Sequence, residues 1–289
     1  MSFGSPYVTL PDFDYHRPKT IAEALALLKE HGDEAKLMGG GVGLIAFMKE
    51  RLMSPTHIID VKEVTELKKV SRVPGEGIII GAAVTLGELL EGNDLPGGYE
   101  VLREAVARIA DPMIRRRATL VGNLCEAIPW VDTPPALMAL DAEVEIAGPD
   151  GGRKETVYKF IRGPVDIDLA ANEMVTAVRI PEAKGRISAF EKFTGGSEFS
   201  LASVAVSTWG NSKNKEVRVV YGAVNSTPVR STDVEEALGQ GLSQAAARRA
   251  AEVASQKVEC LDDVLATSSY RKHLVRVITT KVLRRMISS

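Results

Sequence analysis

Two glycine-rich segments constrain this chain more than any other feature. The first is Leu37-Met38-Gly39-Gly40-Gly41-Val42-Gly43-Leu44, and the second is Ala118-Thr119-Leu120-Val121-Gly122-Asn123. Glycine has no Cβ, so the backbone can approach a ligand closely there, and successive N–H groups can surround an anion. Asn123 adds an amide that both donates and accepts hydrogen bonds. Each segment alone is more typical of a tight turn, but together they predict a dinucleotide held between them.

The elements around these segments follow from local capping and apolar periodicity. Thr20-Ile21-Ala22-Glu23 resembles a capping box and predicts a helix that ends at His31-Gly32. A strand over 35–38 then enters the first glycine segment, and a helix is predicted over 44–51. Further strands are predicted at 55–61, 78–80 and 142–146, a second capping box at Thr85-Leu86-Gly87-Glu88, and helices over 99–110 and 133–140.

The last third of the chain has a different pattern. Alternating apolar residues predict strands at 187–193, 201–208 and 216–224, and helices are predicted to start near residues 232, 243 and 268. The polar connector Glu182-Ala183-Lys184-Gly185 precedes this region. A chain of 289 residues is long enough for one large and one small domain. We therefore expect domains at residues 1–181 and 186–289.

A series of different short motifs also extends along nearly the whole chain. They are Tyr15-His16-Arg17-Pro18-Lys19-Thr20 with Glu23-Ala24, Gly40-Gly41 with Leu44 and Met48-Lys49, Ile59-Asp60-Val61, Ile80-Gly81-Ala82 with Thr85, Ile114-Arg115 with Thr119, Gly122, Asn123, Pro129 and Asp132, Phe190-Glu191-Lys192, Gly222-Ala223-Val224 with Thr227-Pro228-Val229-Arg230, and Tyr270-Arg271. In order and spacing they resemble the FAD-binding medium subunit of the molybdenum hydroxylases, the family of carbon monoxide dehydrogenase and xanthine dehydrogenase.

The resemblance implies an α+β fold and a flavin site. The fold would be a two-part FAD-binding domain of the vanillyl-alcohol-oxidase/PCMH type, followed by a small C-terminal α+β domain with a three-stranded antiparallel sheet and helices. FAD would lie on two flavin loops, residues 39–44 and 118–124. No catalytic residue and no metal ligand is implied, and the expected cofactor-binding residues are Gly39, Gly40, Gly41, Val42, Gly43, Leu44, Thr119, Gly122, Asn123, Asp132 and Lys192.

Two of these residues have a structural alternative. Asp132 is expected to bond the ribose or ring edge of the dinucleotide, or else to cap the helix that begins at Thr133. Lys192 is expected near the flavin, where a cation stabilises the anionic reduced ring, or else on an exposed strand edge. In the charge run Arg115-Arg116-Arg117, which is typical of a solvated face, the resemblance implies that Arg115 is the ordered member.

The chain departs from the family pattern at the flavin segments. Val42 and Gly43 stand where the family usually has a hydroxyl or amide residue followed by Ser or Asp, and Val121 replaces a glycine. After Lys192, the sequence Phe193-Thr194-Gly195-Gly196-Ser197-Glu198-Phe199-Ser200 replaces an arginine pair and an aspartate. Backbone donors survive these changes, but side-chain donors do not. Two alternatives therefore stay open, a flavin-free structural subunit of the same kind of complex and a free-standing FAD oxidoreductase.

Composition argues against several other classes of protein. The net charge of −2 gives no global field for nucleic acid, and no apolar stretch approaches the roughly twenty residues that span a bilayer. The N-terminus does not resemble a signal peptide, so a cytoplasmic protein is expected. The four histidines, His16, His31, His57 and His273, are isolated in sequence, which predicts no metal site, and no hydrolase motif is present.

The expected partners follow from the family and from the cysteines. Cys125 and Cys260 are the only two, whereas an iron–sulfur cluster needs about four thiolates. The resemblance implies a small subunit with [2Fe–2S] clusters and a large subunit with the molybdenum cofactor, in a dimer of heterotrimers, that is, a heterohexamer. Electrons would pass from the clusters through FAD to an external acceptor. The sequence identifies neither the substrate of the complex nor the acceptor, which could be NAD, ferredoxin, quinone or oxygen.

Overall fold

A computed structural model describes residues 9–92, 94–182, 185–196, 199–210, 215–239 and 241–288. The chain begins with a three-stranded parallel sheet in which the third strand lies between the other two. Parallel neighbours require crossover connections, and helices supply them here. The elements in order are β1 (Asp14–His16), α1 (Ile21–His31), β2 (Ala35–Met38), α2 (Val42–Lys49) and β3 (His57–Asp60).

A five-stranded antiparallel sheet follows, with a group of short helices inserted between its second and third strands. In chain order the elements are β4 (Val70–Val73), β5 (Gly77–Gly81), α3 (Leu86–Glu91), α4 (Glu100–Ala107), α5 (Pro112–Arg115), α6 (Leu120–Glu126), α7 (Thr133–Ala139), β6 (Glu143–Gly148), β7 (Gly151–Thr156), α8 (Val157–Phe160), β8 (Ile161–Gly163), β9 (Asp166–Ile167) and β10 (Met174–Ile180). The strand order is β4-β5-β10-β6-β7, and β8 and β9 form a separate pair.

The C-terminal region is an antiparallel sheet covered by three helices. It consists of β11 (Ile187–Phe193), β12 (Ala202–Gly210), β13 (Lys215–Gly222), β14 (Val229–Arg230), α9 (Thr232–Leu238), α10 (Gln244–Lys257) and α11 (Ser268–Ser288). The three predicted strands are present in sequential order, and the two-residue β14 adds a fourth at the edge of β13. The α+β fold class expected from the sequence is confirmed.

Local capping explains where several helices begin. Thr85 starts α3 with a complete capping box, in which its hydroxyl accepts from the Glu88 N–H and the Glu88 carboxylate accepts from the Thr85 N–H at 2.8 Å. Thr20 caps α1 by accepting from the Glu23 N–H at 3.1 Å. Each such cap is worth about 1 kcal/mol. The hydrogen bonds join residues only three apart, which is why the sequence predicts these starts well.

The apolar residues form two main cores that share the C-terminal sheet. The first core lies around the five-stranded sheet and the helices α3, α4, α6 and α7, and the second lies beneath α9, α10 and α11. Successive side chains of a strand point to opposite faces. Phe190, Ala205 and Val220 accordingly enter the first core, while their neighbours Val204 and Val219 enter the second. One face of this sheet thus completes the core of the preceding region.

Charged side chains join the same regions at the sheet edge. Arg108 of α4 donates to the Glu191 carboxylate of β11 at 2.8 Å, and Glu191 is only 2% exposed. Arg285 of α11 bonds Glu104 of α4 at 2.6 Å. These contacts fix β11 and α11 to the α4 region. Within the described ranges, no helix combines the length and apolar character needed to cross a bilayer.

Candidate functional site

The two glycine segments face each other across one cleft. Its volume is about 360 Å³, within the range of small-molecule sites. The structure brings all the predicted binding residues to its wall, although they come from both halves of the chain. They are Gly39, Gly40, Gly41, Val42, Gly43, Leu44, Thr119, Gly122, Asn123, Asp132 and Lys192.

In the first segment the glycines are required by the backbone. Gly41 has φ +78° and precedes the first residue of α2, Val42, so the helix starts two residues earlier than predicted. A Cβ atom on Gly40 would lie 1.9 Å from the Arg117 carbonyl oxygen, and no side chain fits there. Gly40 therefore lets the first segment cross directly over the backbone that leads into the second.

The second segment is mainly helix, and the prediction of a loop over 118–124 is wrong. The Thr119 hydroxyl accepts from the Gly122 N–H at 2.9 Å and so caps α6, which runs from Leu120. Leu120, Val121 and Leu124 are buried on its inner side, while Gly122 faces the cleft. The predicted loop over 39–44 is likewise helical from Val42. Both segments thus present first turns of helices, where N–H groups lack helical partners.

Asn123 has a defined orientation. Its Oδ1 atom accepts from the Thr133 hydroxyl at 2.6 Å, so its amide N–H₂ group is left as the donor. Because Asn123 lines the cleft, this donor is available to an anionic or carbonyl group of a ligand.

Asp132 and Lys192 form a buried ion pair in the cleft wall. Lys192 Nζ lies 2.6 Å from Asp132 Oδ2, and the two side chains are 7% and 5% exposed. Lys192 also donates to the Arg108 carbonyl, and Ser200 Oγ donates to Asp132 Oδ1, each at 2.8 Å. Burial raises the pKa of Asp132, while Lys192 and Ser200 oppose that shift.

This pairing excludes the structural alternatives that the sequence left open, a helix-capping Asp132 and an exposed Lys192. Asp132 precedes α7, but its side chain accepts no capping bond from that helix. The alternative in which it caps α7 is therefore wrong for the side chain. The alternative of an exposed Lys192 is also wrong. The pair instead joins β11 to the start of α7 and places a nearly neutralised charge beside the cleft.

The sequence analysis missed Glu126, which also lines the cleft. A Cβ atom on Gly43 would lie 2.6 Å from Glu126 Oε1, so the carboxyl group stands against the first turn of α2. Burial raises the pKa of Glu126 to about 7. Among the described residues, none forms an ion pair with this carboxylate, and burial is the only cause of its raised pKa. Glu126 follows Asn123 by three residues, so in a helix both side chains lie on one face. The prediction of a loop over this segment hid that relationship.

The rest of the cleft wall is mainly apolar, and the cysteine in it is unreactive. Trp130 and Phe199 meet edge to face with ring centroids 5.3 Å apart, and both line the cleft. Burial raises the pKa of the Cys125 thiol to about 12, and burial also raises that of Cys260. Neither cysteine is therefore suited to act as a thiolate near neutral pH.

Other charged and metal-binding candidates lie outside the cleft. Arg115 donates to the carbonyls of Ile109 and Ala110 at 2.7 and 2.9 Å, as expected for the ordered member of its run. Contrary to their isolation in the sequence, His16, His31 and His57 meet in space, with ligand atoms within 4.8 Å of one another. None of these three histidines lines the cleft.

The donors of the cleft fit an anionic dinucleotide. Backbone N–H groups of two first helical turns and the Asn123 amide can donate, and no side chain at Gly40, Gly43 or Gly122 blocks the approach. Glu126 is the one acidic group beside this donor set that no cation neutralises among the described residues, and its pKa of about 7 makes it readily protonated. The residues present therefore fit FAD.

Comparisons with known proteins agree with this geometry. Residues 11–183 match the model of the FAD binding domain in molybdopterin dehydrogenase, and residues 189–286 match that of the CO dehydrogenase flavoprotein C-terminal domain. The chain is 31% identical over 277 residues to the carbon monoxide dehydrogenase medium chain of Afipia carboxidovorans, which covers 94% of this chain and 96% of the relative.

Two further proteins show the same similarity. The xanthine dehydrogenase FAD-binding subunit of Escherichia coli O157:H7 is 27% identical over 287 residues, covering 95% and 96% of the two chains. A solved structure of carbon monoxide dehydrogenase from Hydrogenophaga pseudoflava, which lacks the Mo-pyranopterin moiety of its cofactor, superposes with a TM-score of 0.90 at 29% identity, over 97% and 99% of the chains. This chain therefore belongs to the family of FAD-binding medium subunits of molybdenum hydroxylases, and it is an oxidoreductase subunit whose cofactor is FAD.

Proposed function

We propose that this chain passes electrons from [2Fe–2S] clusters of a partner subunit through FAD to an external acceptor. The observation that supports it is the convergence of both glycine segments, Asn123, Asp132 and Lys192 on one cleft. The titratable groups of that cleft are paired, as Asp132 and Lys192 are, or buried, as Cys125 and Glu126 are. Such a site suits a protein that binds and orients a redox cofactor, and it includes Glu126 as a group that changes protonation near neutral pH.

The proposed binding roles follow from the donors. Backbone N–H groups around Gly39–Gly43 would hold the pyrophosphate, because the first turn of α2 presents unpaired N–H groups and the positive end of the helix dipole. Gly122 would approach through its backbone, and Asn123 would donate through its amide nitrogen. Thr119 holds this geometry as the cap of α6. Bound FAD would supply the electron-transfer chemistry.

Asp132 and Lys192 would set the polar surroundings of the cofactor. Both oxygens of Asp132 already accept hydrogen bonds, from Lys192 and from Ser200. A direct bond from Asp132 to a ribose hydroxyl would have to share one of these oxygens. Lys192 keeps a positive head group at the cleft wall, but Asp132 offsets much of its field. We therefore infer a modest effect of Lys192 on the flavin and a larger effect on the shape of the cleft.

The proposed partners are a small subunit with [2Fe–2S] clusters and a large subunit with the molybdenum cofactor, as a dimer of heterotrimers. The chain has two cysteines, and both thiols are buried enough to resist ionisation, whereas cluster ligands are thiolates. The substrate would then be oxidised on the molybdenum-bearing partner. Medium chains of carbon monoxide dehydrogenase and glyceraldehyde dehydrogenase are among the similar proteins, which supports a multi-subunit enzyme.

The test compares the chain alone with the complex from its native source. We expect the isolated chain, supplied with FAD, to show flavin absorbance near one FAD per chain and no turnover of substrate. In the native complex, substrate should reduce the clusters before the flavin in a rapid-mixing experiment. A chain that binds no FAD at pH 6 or pH 8 would support the structural-subunit alternative. Turnover by the isolated chain would support the free-standing oxidoreductase instead.

A further inference from the structure

Three of the four histidines in the chain meet on the N-terminal parallel sheet. His16 Nε2 lies 3.1 Å from His57 Nδ1, and the His31 ring stacks on the His57 ring with centroids 3.7 Å apart. The nitrogen atoms able to bind a metal all lie within 4.8 Å of one another. All three side chains are partly buried.

Strand register brings these residues together. β1 and β3 are parallel neighbours in which Asp14 pairs with His57 and His16 pairs with Ile59. Side chains two residues apart share a face of a strand, so Asp14, His16 and His57 lie on one face of the sheet. α1 covers that face, and its last residue, His31, lies beside the rings. Three elements separated in sequence thus contribute one imidazole each.

The arrangement has the chemistry of a transition-metal site. Neutral imidazole nitrogen is a preferred ligand of Zn²⁺, Cu²⁺ and Ni²⁺. In a tetrahedral zinc site the Zn–N bonds are about 2.0–2.1 Å, which places ligand nitrogens about 3.3 Å apart. The His16–His57 pair at 3.1 Å is close to that spacing, and the ligand nitrogen of His31 lies within 4.8 Å of the other two. The negative end of the α1 dipole also favours a cation at His31.

A fourth ligand is available on the open side. Asp14 Oδ2 lies 3.9 Å from His57 Nδ1, and its side chain is 80% exposed and free to turn toward the rings. The nearby cations Arg17 and Lys19 point to another partner, the Glu63 carboxylate. The cluster therefore has a carboxylate at hand and no adjacent cation directed into it among the described residues.

We propose that His16, His31 and His57 form a site for a divalent transition metal, with zinc as the natural occupant and with Asp14 or water as the fourth ligand. The metal would clamp the end of α1 to β1 and β3. It would not take part in flavin chemistry, because none of the three histidines lines the cleft. Its effect would be on the stability of the sheet whose strand β2 leads into Gly39.

The experiment uses the full chain without a polyhistidine tag, stripped with a chelator and titrated with ZnCl₂ by calorimetry. We expect one Zn²⁺ per chain and a rise in Tm on binding. His31→Gln and His57→Gln should each weaken binding more than about a hundredfold, beyond the roughly 10–100-fold that the loss of an outer-sphere partner costs. His273→Gln is the matched control, because His273 is exposed on α11 and should leave zinc affinity unchanged.

A second measurement does not depend on the folding of the variants. CoCl₂ added to the wild-type chain should give the intense visible absorption of tetrahedral Co²⁺, displaced by one equivalent of Zn²⁺. Absence of stoichiometric zinc binding by the wild-type chain overturns the proposal. So does an equal loss of affinity in His273→Gln and His31→Gln, or an unchanged affinity in folded His31→Gln.

Discussion

Glu126 gives the sharpest test of the site, because its carboxyl group is buried without a neutralising partner among the described residues. Burial raises its pKa from the ordinary value of 4.5 to about 7. The change to examine is Glu126→Gln, which keeps the size of the side chain and removes its charge. The property to measure is the free energy of unfolding of the FAD-free chain as a function of pH.

The expected magnitude follows from proton linkage. Between pH 4.5 and 7 the native state holds a proton on Glu126 that the unfolded chain has released, so stability falls as pH rises through this window. A shift of about 2.5 units at about 1.36 kcal/mol per unit amounts to about 3 kcal/mol. The stability that this bound proton contributes is fully present below pH 4.5 and is lost above pH 7. Glu126→Gln should therefore match the wild type at low pH and exceed its stability by about 3 kcal/mol at pH 8.

The assay is urea unfolding of wild type and variant at several values between pH 4.5 and 8, followed by tryptophan fluorescence and far-UV circular dichroism. Other groups that titrate in this window are common to both proteins and cancel in the difference. Glu30→Gln, on an exposed position of α1, is the matched control for replacing a glutamate by glutamine on the protein surface. A difference between wild type and Glu126→Gln that stays constant from pH 4.5 to 8 would refute the account of a buried, uncompensated carboxyl group.

Three further predictions concern FAD retention and the buried ion pair. Because the pyrophosphate is anionic, binding selects protonated Glu126, so the wild-type Kd for FAD should weaken about tenfold from pH 6 to pH 8, while that of Glu126→Gln stays flat in fluorescence titrations. Asn123→Asp keeps an acceptor for Thr133 but loses the amide donor, and should weaken FAD binding about tenfold to a hundredfold. Asn172→Asp, in a turn away from the cleft, is its control, and equal losses in both would contradict the role of Asn123. Lys192→Met should cost about 3–5 kcal/mol in urea unfolding by leaving Asp132 buried and unpaired, and Lys192→Met with Asp132→Leu should recover most of it. A double variant no more stable than Lys192→Met would contradict that explanation.

Elements specified by neighbouring residues were predictable from the sequence. The starts of α1 and α3 depend on Thr20 and Thr85, whose partners lie three residues away. The turn between β6 and β7 lies between the paired Gly148 and Gly151, where the glycines mark it locally in the sequence. The second flavin segment was mistaken for a loop because the signal of Gly122 outweighed the Thr119 cap and the helical spacing of the apolar residues after it.

Local sequence patterns could not predict contacts between residues that lie far apart in the sequence. The Lys192–Asp132 pair and the histidine cluster depend on how strands align and on how the C-terminal sheet packs, which spacing along the chain does not encode. The family resemblance placed Asp132 and Lys192 at one site but did not predict their ion pair, and it gave no sign of the histidine cluster. The roles of the eleven cleft residues toward FAD stay a prediction. So does the division at 1–181 and 186–289, where Ala183 and Lys184 of the connector lie outside the described residues.

The apolar sheet face that completes the first core affects how the chain folds during synthesis. Its residues include Phe190, Ala205 and Val220. During translation, α4 and α7 are synthesised well before the strands that cover them. A ribosome-bound chain that ends near Pro181 therefore exposes an apolar face, and it also lacks Lys192 to neutralise Asp132. Exposed apolar surface on an incomplete chain favours aggregation and chaperone binding. FAD loading and subunit assembly should accordingly begin only after β13 has left the ribosome.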